Sequence, residues 1–244
     1  MTRTHPVSQR IYRSHIRHFR FLNDLWIFTQ LVRPQFKARG EELRASKSKA
    51  KKRYPVPKRS RVTISRRTDA DVGQVFIAQY ERGVFETNII SIVSRTEAFV
   101  QECLLIAISA NPEKLSILDK SGIPLDLFLT HEDRSALLER LVALRCQELM
   151  FAKPADYMRK VSEVLSVEIP EDRIEAYIEL KATRDVLIHN QGLINRIYLD
   201  KAGQSARGGL GEELEIDADY FGEAIMSSKG LSGAIQAATE EKYA

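Results

Sequence analysis

No run of about 18 apolar residues occurs in this sequence, so it offers no membrane span. Its N-terminus has no apolar segment of the kind a secretory signal needs. Cysteine is scarce. Cys103 and Cys146 both sit in apolar helical patterns, which fits reduced core residues of a cytoplasmic protein better than a disulfide framework. The signatures GxxxxGKS/T, GxGxxG, HExxH and CxxC are all missing. The two cysteines and five histidines do not cluster like zinc ligands, and Ser205 and Ser227 lack the context of an activated nucleophile. No metal or other cofactor is expected, and no internal repeat is visible.

Acidic residues are absent from the first 23 positions and rare as far as residue 67. Residues 1–67 hold 19 Lys and Arg against three acids (Asp24, Glu41, Glu42), a formal +16. The remainder holds 18 against 30, a formal −12, so the net charge of +4 conceals a basic arm joined to an acidic body. Such an arm is attracted to polyanions and to its own body. An acid-free start also occurs in organelle-targeting peptides. Residues 9–32 interleave arginines with Ile11, His15, Leu22, Leu25, Trp26 and Phe28. They predict a basic amphipathic helix, packed on the body or laid on RNA or an anionic membrane. Residues 37–67 are rich in Lys, Arg and Ser, carry Pro55 and Pro57, and have almost nothing to bury. They read as a solvated, partly disordered linker, either a tether or a phosphate contact. His5, His15 and His18 read as solvated or phosphate-facing.

What is present beyond the arm is helical periodicity. With 43% hydrophobic residues in 244, one domain plus appendages is expected. Thr68-Asp69 is a plausible N-cap position. Residues 72–110 follow a helical pattern that Gly83 bends or divides and Asn111-Pro112 stops. Residues 113–129 read as a loop. Thr130 would cap a helix reaching about Phe151, and Pro154 opens another over 155–165. Glu171 to Asn190 forms a further helix with Gly192 as terminator. The pattern resumes through Ile194, Ile197 and Tyr198. Residues 203–213 form a glycine-rich loop, and Asp217 caps a last helix with a frayed Gly/Ser-rich end. The fold class is therefore all-α, an antiparallel helical bundle, divided as arm 1–67, helical domain 68–202, and loop plus C-terminal helix 203–244.

The chemistry concentrates at Arg184-Asp185-Val186-Leu187-Ile188-His189, followed by Asn190-Gln191-Gly192. Arginine keeps its charge and forks onto phosphate oxygens. Histidine is the side chain whose proton moves near neutral pH. Asp185 and His189 are four residues apart, on one helix face, where a carboxylate can hold the imidazole in one tautomer. Arg184 and His189 are five apart, roughly 140° around the helix. One helix alone aims them poorly at a common point, so a long arginine reach, a helix end at His189, or a second copy of the helix is needed. Arg184-Asp185 as a surface ion pair and His189 as a cap are the plain alternatives.

The stretch RDVLIHNQGLINRIY, Arg184 to Tyr198, resembles the HEPN superfamily, in particular bacterial members of the RiboL-PSP-HEPN or MAE type. A looser helical likeness runs from about Asp71 to Leu199. That bacterial character argues against an organelle-targeting peptide. The resemblance implies a HEPN-type bundle and metal-independent RNA cleavage by a homodimer whose motif helices face one another. Arg184 and His189 would be catalytic and Asp185 would orient His189. Glu97, on an earlier helix, is expected to bind Arg184 or a backbone amide, and Glu97, Asn190, Lys181 and Arg196 to support the site or contact RNA. RNA is the expected partner, with an antitoxin or regulatory protein besides if the chain is a toxin or phage-defence effector. Two other readings stay open: a non-catalytic HEPN module binding RNA or a partner protein, and a purely structural bundle.

Overall fold

The structure is a computed structural model and describes residues 5–59, 61–118, 133–150 and 154–243. Of these residues 77% are helical and 7% are strand, in keeping with the all-α class. The helices are α1 (Pro6–Arg44), α2 (Asp69–Ala78), α3 (Val84–Ala110), α4 (Leu115–Leu118), α5 (Arg134–Met150), α6 (Pro154–Leu165), α7 (Glu171–His189), α8 (Arg196–Ala202) and α9 (Ala218–Lys242). One antiparallel hairpin, β1 (Lys52–Lys58) with β2 (Arg61–Arg67), stands between α1 and α2 in sequence. Among the described residues, no helix is long and apolar enough to cross a membrane. The expected Thr130 cap and the Cys146 side chain lie outside what the structure describes.

Contacts divide the chain into two compact units. The first comprises Met1–Leu22, Ile89–Glu215 and Gly222–Ala244. On α1, Val7, Ile11, Ser14, His18 and Leu22 are buried, a stripe at helical spacing. Val7 and Ile11 join the core of Phe99, Val100, Cys103 and Leu104 on α3, Tyr157, Met158 and Val161 on α6, Tyr177 on α7, and Leu231 and Ile235 on α9. The start of the basic arm is therefore body, not appendage. A chain beginning at Thr68 would leave this core without its first helix. Burial pushes the Cys103 thiol well above its ordinary range, as expected of an inert core cysteine.

His18 and the C-terminal helix depart from expectation as well. His18 is not solvated. Its Nε2 lies 2.9 Å from Ser228 Oγ, Ser228 Oγ lies 2.6 Å from Thr96 Oγ1, and Thr96 donates to the Ile92 carbonyl at 2.8 Å. A hydroxyl has one proton. Thr96 uses its own on Ile92, so Ser228 donates to Thr96 and His18 Nε2–H donates to Ser228. This chain fixes the His18 tautomer, with Nδ1 as the unprotonated nitrogen. Burial first, then His15 and Arg95, lower the His18 pKa to about 4. The C-terminal helix is also not frayed. Ser228, Leu231, Ser232, Ile235 and Thr239 are all buried on α9. Its small residues permit close packing: a Cβ on Gly230 would come within 2.8 Å of the Arg173 guanidinium on α7.

The second unit is Asn23–Asn88 with Ile216–Phe221. Trp26 and Phe85 pack on Phe221, with ring centroids 5.6 and 5.3 Å away. Arg33 lies over the rings of Tyr80 and Phe85 at 4.2 and 4.4 Å. Helices α1 and α2 touch through glycine, since a Cβ on Gly73 would fall 2.9 Å from Arg44 N and Gly40 O. Thr68 forms a full capping box with Asp71 at the start of α2. A π-helical turn, Gln79–Gly83, separates α2 from α3 where Gly83 predicted an interruption. The linker expectation for 37–67 is overturned. Helix α1 extends to Arg44, and β1 and β2 pair in continuous register from Lys52↔Arg67 to Lys58↔Arg61. Alternating Tyr54, Val56, Thr63 and Ser65 are half-buried while the other strand residues are exposed. The period of two was present, but the charge and the prolines masked it.

Candidate active site

The site is built on the second half of α7. This helix carries two sets of polar side chains. Glu179 and Lys181 are two residues apart, about 200° around the helix, and so serve opposite faces.

On one face, Lys181 and Arg184 converge on Glu97 of α3. Lys181 Nζ donates to Glu97 Oε1 at 2.6 Å and Arg184 Nη2 donates to the same oxygen at 3.0 Å. Glu97 and Lys181 are each 5% exposed. Lys181 also lies over the Tyr157 ring, 5.3 Å from its centroid. The Tyr177 phenol is buried alongside, and burial, followed by the Glu97 carboxylate, pushes its pKa well above the usual value. The pairing of Glu97 with Arg184 follows the sequence expectation. Of the two roles expected of Lys181, supporting the site or contacting RNA, burial of its ammonium in an ion pair with Glu97 fits the first and not the second. Its aliphatic stem packs inside while Glu97 neutralises the head, the arrangement that makes a buried lysine tolerable.

Asp185 also departs from expectation. Its Oδ2 accepts from Lys201 Nζ at 2.9 Å, and its Oδ1 is 3.3 Å from Arg184 Nε. It pairs with these two cations, and no hydrogen bond joins it to His189 among the described residues. Lys201 sits on α8, sixteen residues away, beyond any helical-spacing rule. His189 is the last residue of α7, exposed, with no hydrogen-bond or ion-pair partner among the described residues. The helix ends there because the chain turns left-handed at Gln191 (φ 53°) and Gly192 (φ 81°). The Val186 carbonyl accepts from both Asn190 N–H and Gly192 N–H, at 2.9 and 3.2 Å. Asn190 does not face outward as a ligand; its side-chain amide donates to the Leu193 carbonyl and closes the turn. Arg196 is exposed at the start of α8, which Asn195 caps through a bond from Tyr198 N–H.

On the opposite face, Glu179 is buried and accepts from Thr183 Oγ1 at 2.7 Å, Tyr198 Oη at 3.0 Å and Arg207 Nε at 3.3 Å. Arg207 N–H donates to Tyr198 Oη at 3.1 Å and Arg207 Nη2 to the Glu215 carbonyl at 3.0 Å. The glycine-rich loop is thereby tied to α7. Leu214 N–H donates to Gly192 O at 2.8 Å, and Ile194 exchanges bonds with Gly211 and Glu212. This network went unread in the sequence. Glu179 and Thr183 had only a weak signal, an acid and a hydroxyl four residues apart on a helix rich in charge. Arg207 had none.

Compared with protein-family models, curated proteins and solved structures, the chain matches none. Among the described residues no group of three or more His, Cys, Asp or Glu is placed to hold a metal. The arrangement supplies a fixed guanidinium at the edge of a buried ion cluster and an imidazole open to solvent at a helix end one and a half turns on. That pairs a charge stabiliser with a proton carrier.

Proposed function

We propose that the chain is a HEPN-type endoribonuclease that cleaves RNA without a metal, with Arg184 and His189 as its reacting groups. The observation that carries this reading is the contrast within α7. Arg184 is held from behind by buried Glu97, while His189 is exposed with no hydrogen-bond or ion-pair partner among the described residues. In this chemistry the substrate's 2′-hydroxyl attacks the adjacent phosphorus and the bond to the 5′-oxygen breaks. His189 moves the proton, and Arg184 stabilises charge on the phosphoryl oxygens. The five-residue offset leaves one chain's pair divergent, so a symmetric homodimer completes the site. Ile188, Leu193 and Ile197 are exposed around His189 and supply an apolar surface for a second copy. A cytoplasmic toxin or phage-defence effector of this kind has an antitoxin or regulatory protein as its further partner.

A second reading, a non-catalytic HEPN module that binds RNA or a partner protein, draws on a specific observation. Arg184 already faces two carboxylates, Glu97 and Asp185, and is only partly exposed. One assay separates the two. Total RNA is incubated with native protein or His189→Ala in EDTA. Loss of the proton carrier should slow cleavage by about 10²–10⁴. Undiminished cleavage by the variant overturns the enzymatic reading. RNA binding without cleavage by the native protein selects the second.

A further inference from the structure

The hairpin of β1 and β2 is unusual in what it places opposite what. Between residues 52 and 67 there are seven Lys and Arg and no acid. Three cross-strand pairs join like charges directly: Lys52↔Arg67, Arg53↔Arg66 and Lys58↔Arg61. Directly opposed like charges destabilise a two-stranded ribbon. Only Lys52 has a carboxylate in ion-pair contact among the described residues, Asp69 Oδ1 at 2.7 Å. Arg67 also lies within electrostatic reach of Asp71, while Arg53, Lys58, Arg61 and Arg66 have no carboxylate in ion-pair contact among the described residues. One face, with Tyr54, Val56, Thr63 and Ser65, is half-buried; the other presents Arg53, Arg66, Pro55, Ile64, Pro57 and Val62 to solvent.

We propose that this hairpin binds the sugar–phosphate backbone of a double-stranded nucleic acid, seated as a ribbon in a groove. Three features favour a duplex. Cations lie on both strands of the ribbon, and a groove offers phosphates on both sides, whereas a single strand offers one row. The basal pair Arg53 and Arg66 lies on the exposed face and the distal pair Lys58 and Arg61 on the other, about 17 Å along the ribbon at roughly 3.4 Å per residue, so cations stand on both faces and at both ends. The major groove of B-form DNA, about 12 Å wide, admits a two-stranded ribbon, and an A-form RNA duplex offers its wide, shallow minor groove instead. The exposed Pro55, Pro57, Val62 and Ile64 share the face of Arg53 and Arg66 and provide the apolar contact that groove-binding proteins make with bases and sugars. Strand addition by a protein partner is disfavoured, because Pro55 and Pro57 remove backbone donors from β1 and exposed charges blunt the ribbon's edges. The proposal is independent of cleavage at His189.

The test uses the full chain carrying His189→Ala, so that cleavage does not interfere, and fluorescence anisotropy with a labelled 20-base-pair RNA duplex, a DNA duplex of the same length and a single-stranded RNA. The variant Arg53→Gln/Lys58→Gln/Arg61→Gln/Arg66→Gln should fold, since every residue replaced is exposed and each like-charge pair it relieves is repulsive; circular dichroism verifies this. It should bind duplex at least tenfold more weakly, and its log–log salt slope should shrink by roughly 0.9 per lost phosphate contact. A control, Arg13→Gln/Arg20→Gln/Arg140→Gln/Lys242→Gln, removes the same charge from exposed positions elsewhere and should bind like the parent. Retention of either duplex by parent and control supports the proposal, and the tighter one identifies the duplex. Equal losses in both variants overturn it, as does a parent that ignores duplex, prefers single-stranded RNA, or binds only phosphatidylserine vesicles.

Discussion

Replacing Glu97 with alanine should destabilise the protein far more than loss of an ordinary ion pair. Glu97 Oε1 holds Lys181 Nζ at 2.6 Å and Arg184 Nη2 at 3.0 Å. For exposed pairs such contacts contribute at most about 1 kcal/mol. Here carboxylate and ammonium are both buried, and removing one partner strands the other. Breaking a buried pair costs about 3–5 kcal/mol, most of it the penalty of an uncompensated charge. Lys181 would retain only its position over the Tyr157 ring, an attraction of about 0.5–2 kcal/mol that it already has. Arg184 adds less, because it keeps Asp185 and reaches solvent. We expect a loss of about 3–5 kcal/mol in urea denaturation, and a thermal midpoint lower by about 6–20 °C. The double variant Glu97→Leu/Lys181→Met removes both charges at nearly constant volume and should recover most of the loss. A single variant within about 1 kcal/mol of the native protein refutes the argument. A double variant as unstable as the single assigns the loss to packing instead.

Two further effects follow from the fold. His18 has a folded pKa of about 4 against an ordinary 6.5, so between those values the unfolded chain binds the extra proton. The stability is whole above pH 6.5 and declines as pH falls toward 4, by about 3 kcal/mol in all. His18→Gln should flatten that decline relative to native protein in denaturation measured from pH 7 to 4; parallel profiles refute it. Gly73→Ala pits helix propensity, which favours alanine by about 1 kcal/mol, against a Cβ placed 2.9 Å from Arg44 N and Gly40 O. Backbone atoms cannot step aside like a side chain, so the clash should win, with a net loss of about 1–3 kcal/mol. A stabilised variant in the same denaturation assay would show that α1 and α2 move apart freely.

The sequence by itself determined what depends on neighbours along the chain. The helical period, Thr68 as a cap, the interruption at Gly83, the stop before Pro112, the start at Pro154 and the end at Gly192 rest on local backbone sterics and hydrogen bonds, and all are found in the structure. Glu97 was expected to bind Arg184 or a backbone amide only through the family resemblance, and the structure holds it against Arg184. Tertiary structure decided the rest. Lys181 and Arg196 look alike as exposed helical cations in one dimension, and only packing buries the first and leaves the second at the surface. Asp185 had two possible partners, His189 four residues away and any cation from elsewhere. Lys201 reached it from another helix, and a full positive charge outbids an imidazole. His18 read as part of a basic arm because local charge density says nothing about which face of a helix meets a core. Helix spacing of Val7, Ile11, Ser14, His18 and Leu22 sets the buried stripe, but it took α3 and α9 to make that stripe an interior and to surround His18 with Phe99, Thr96 and Ser228.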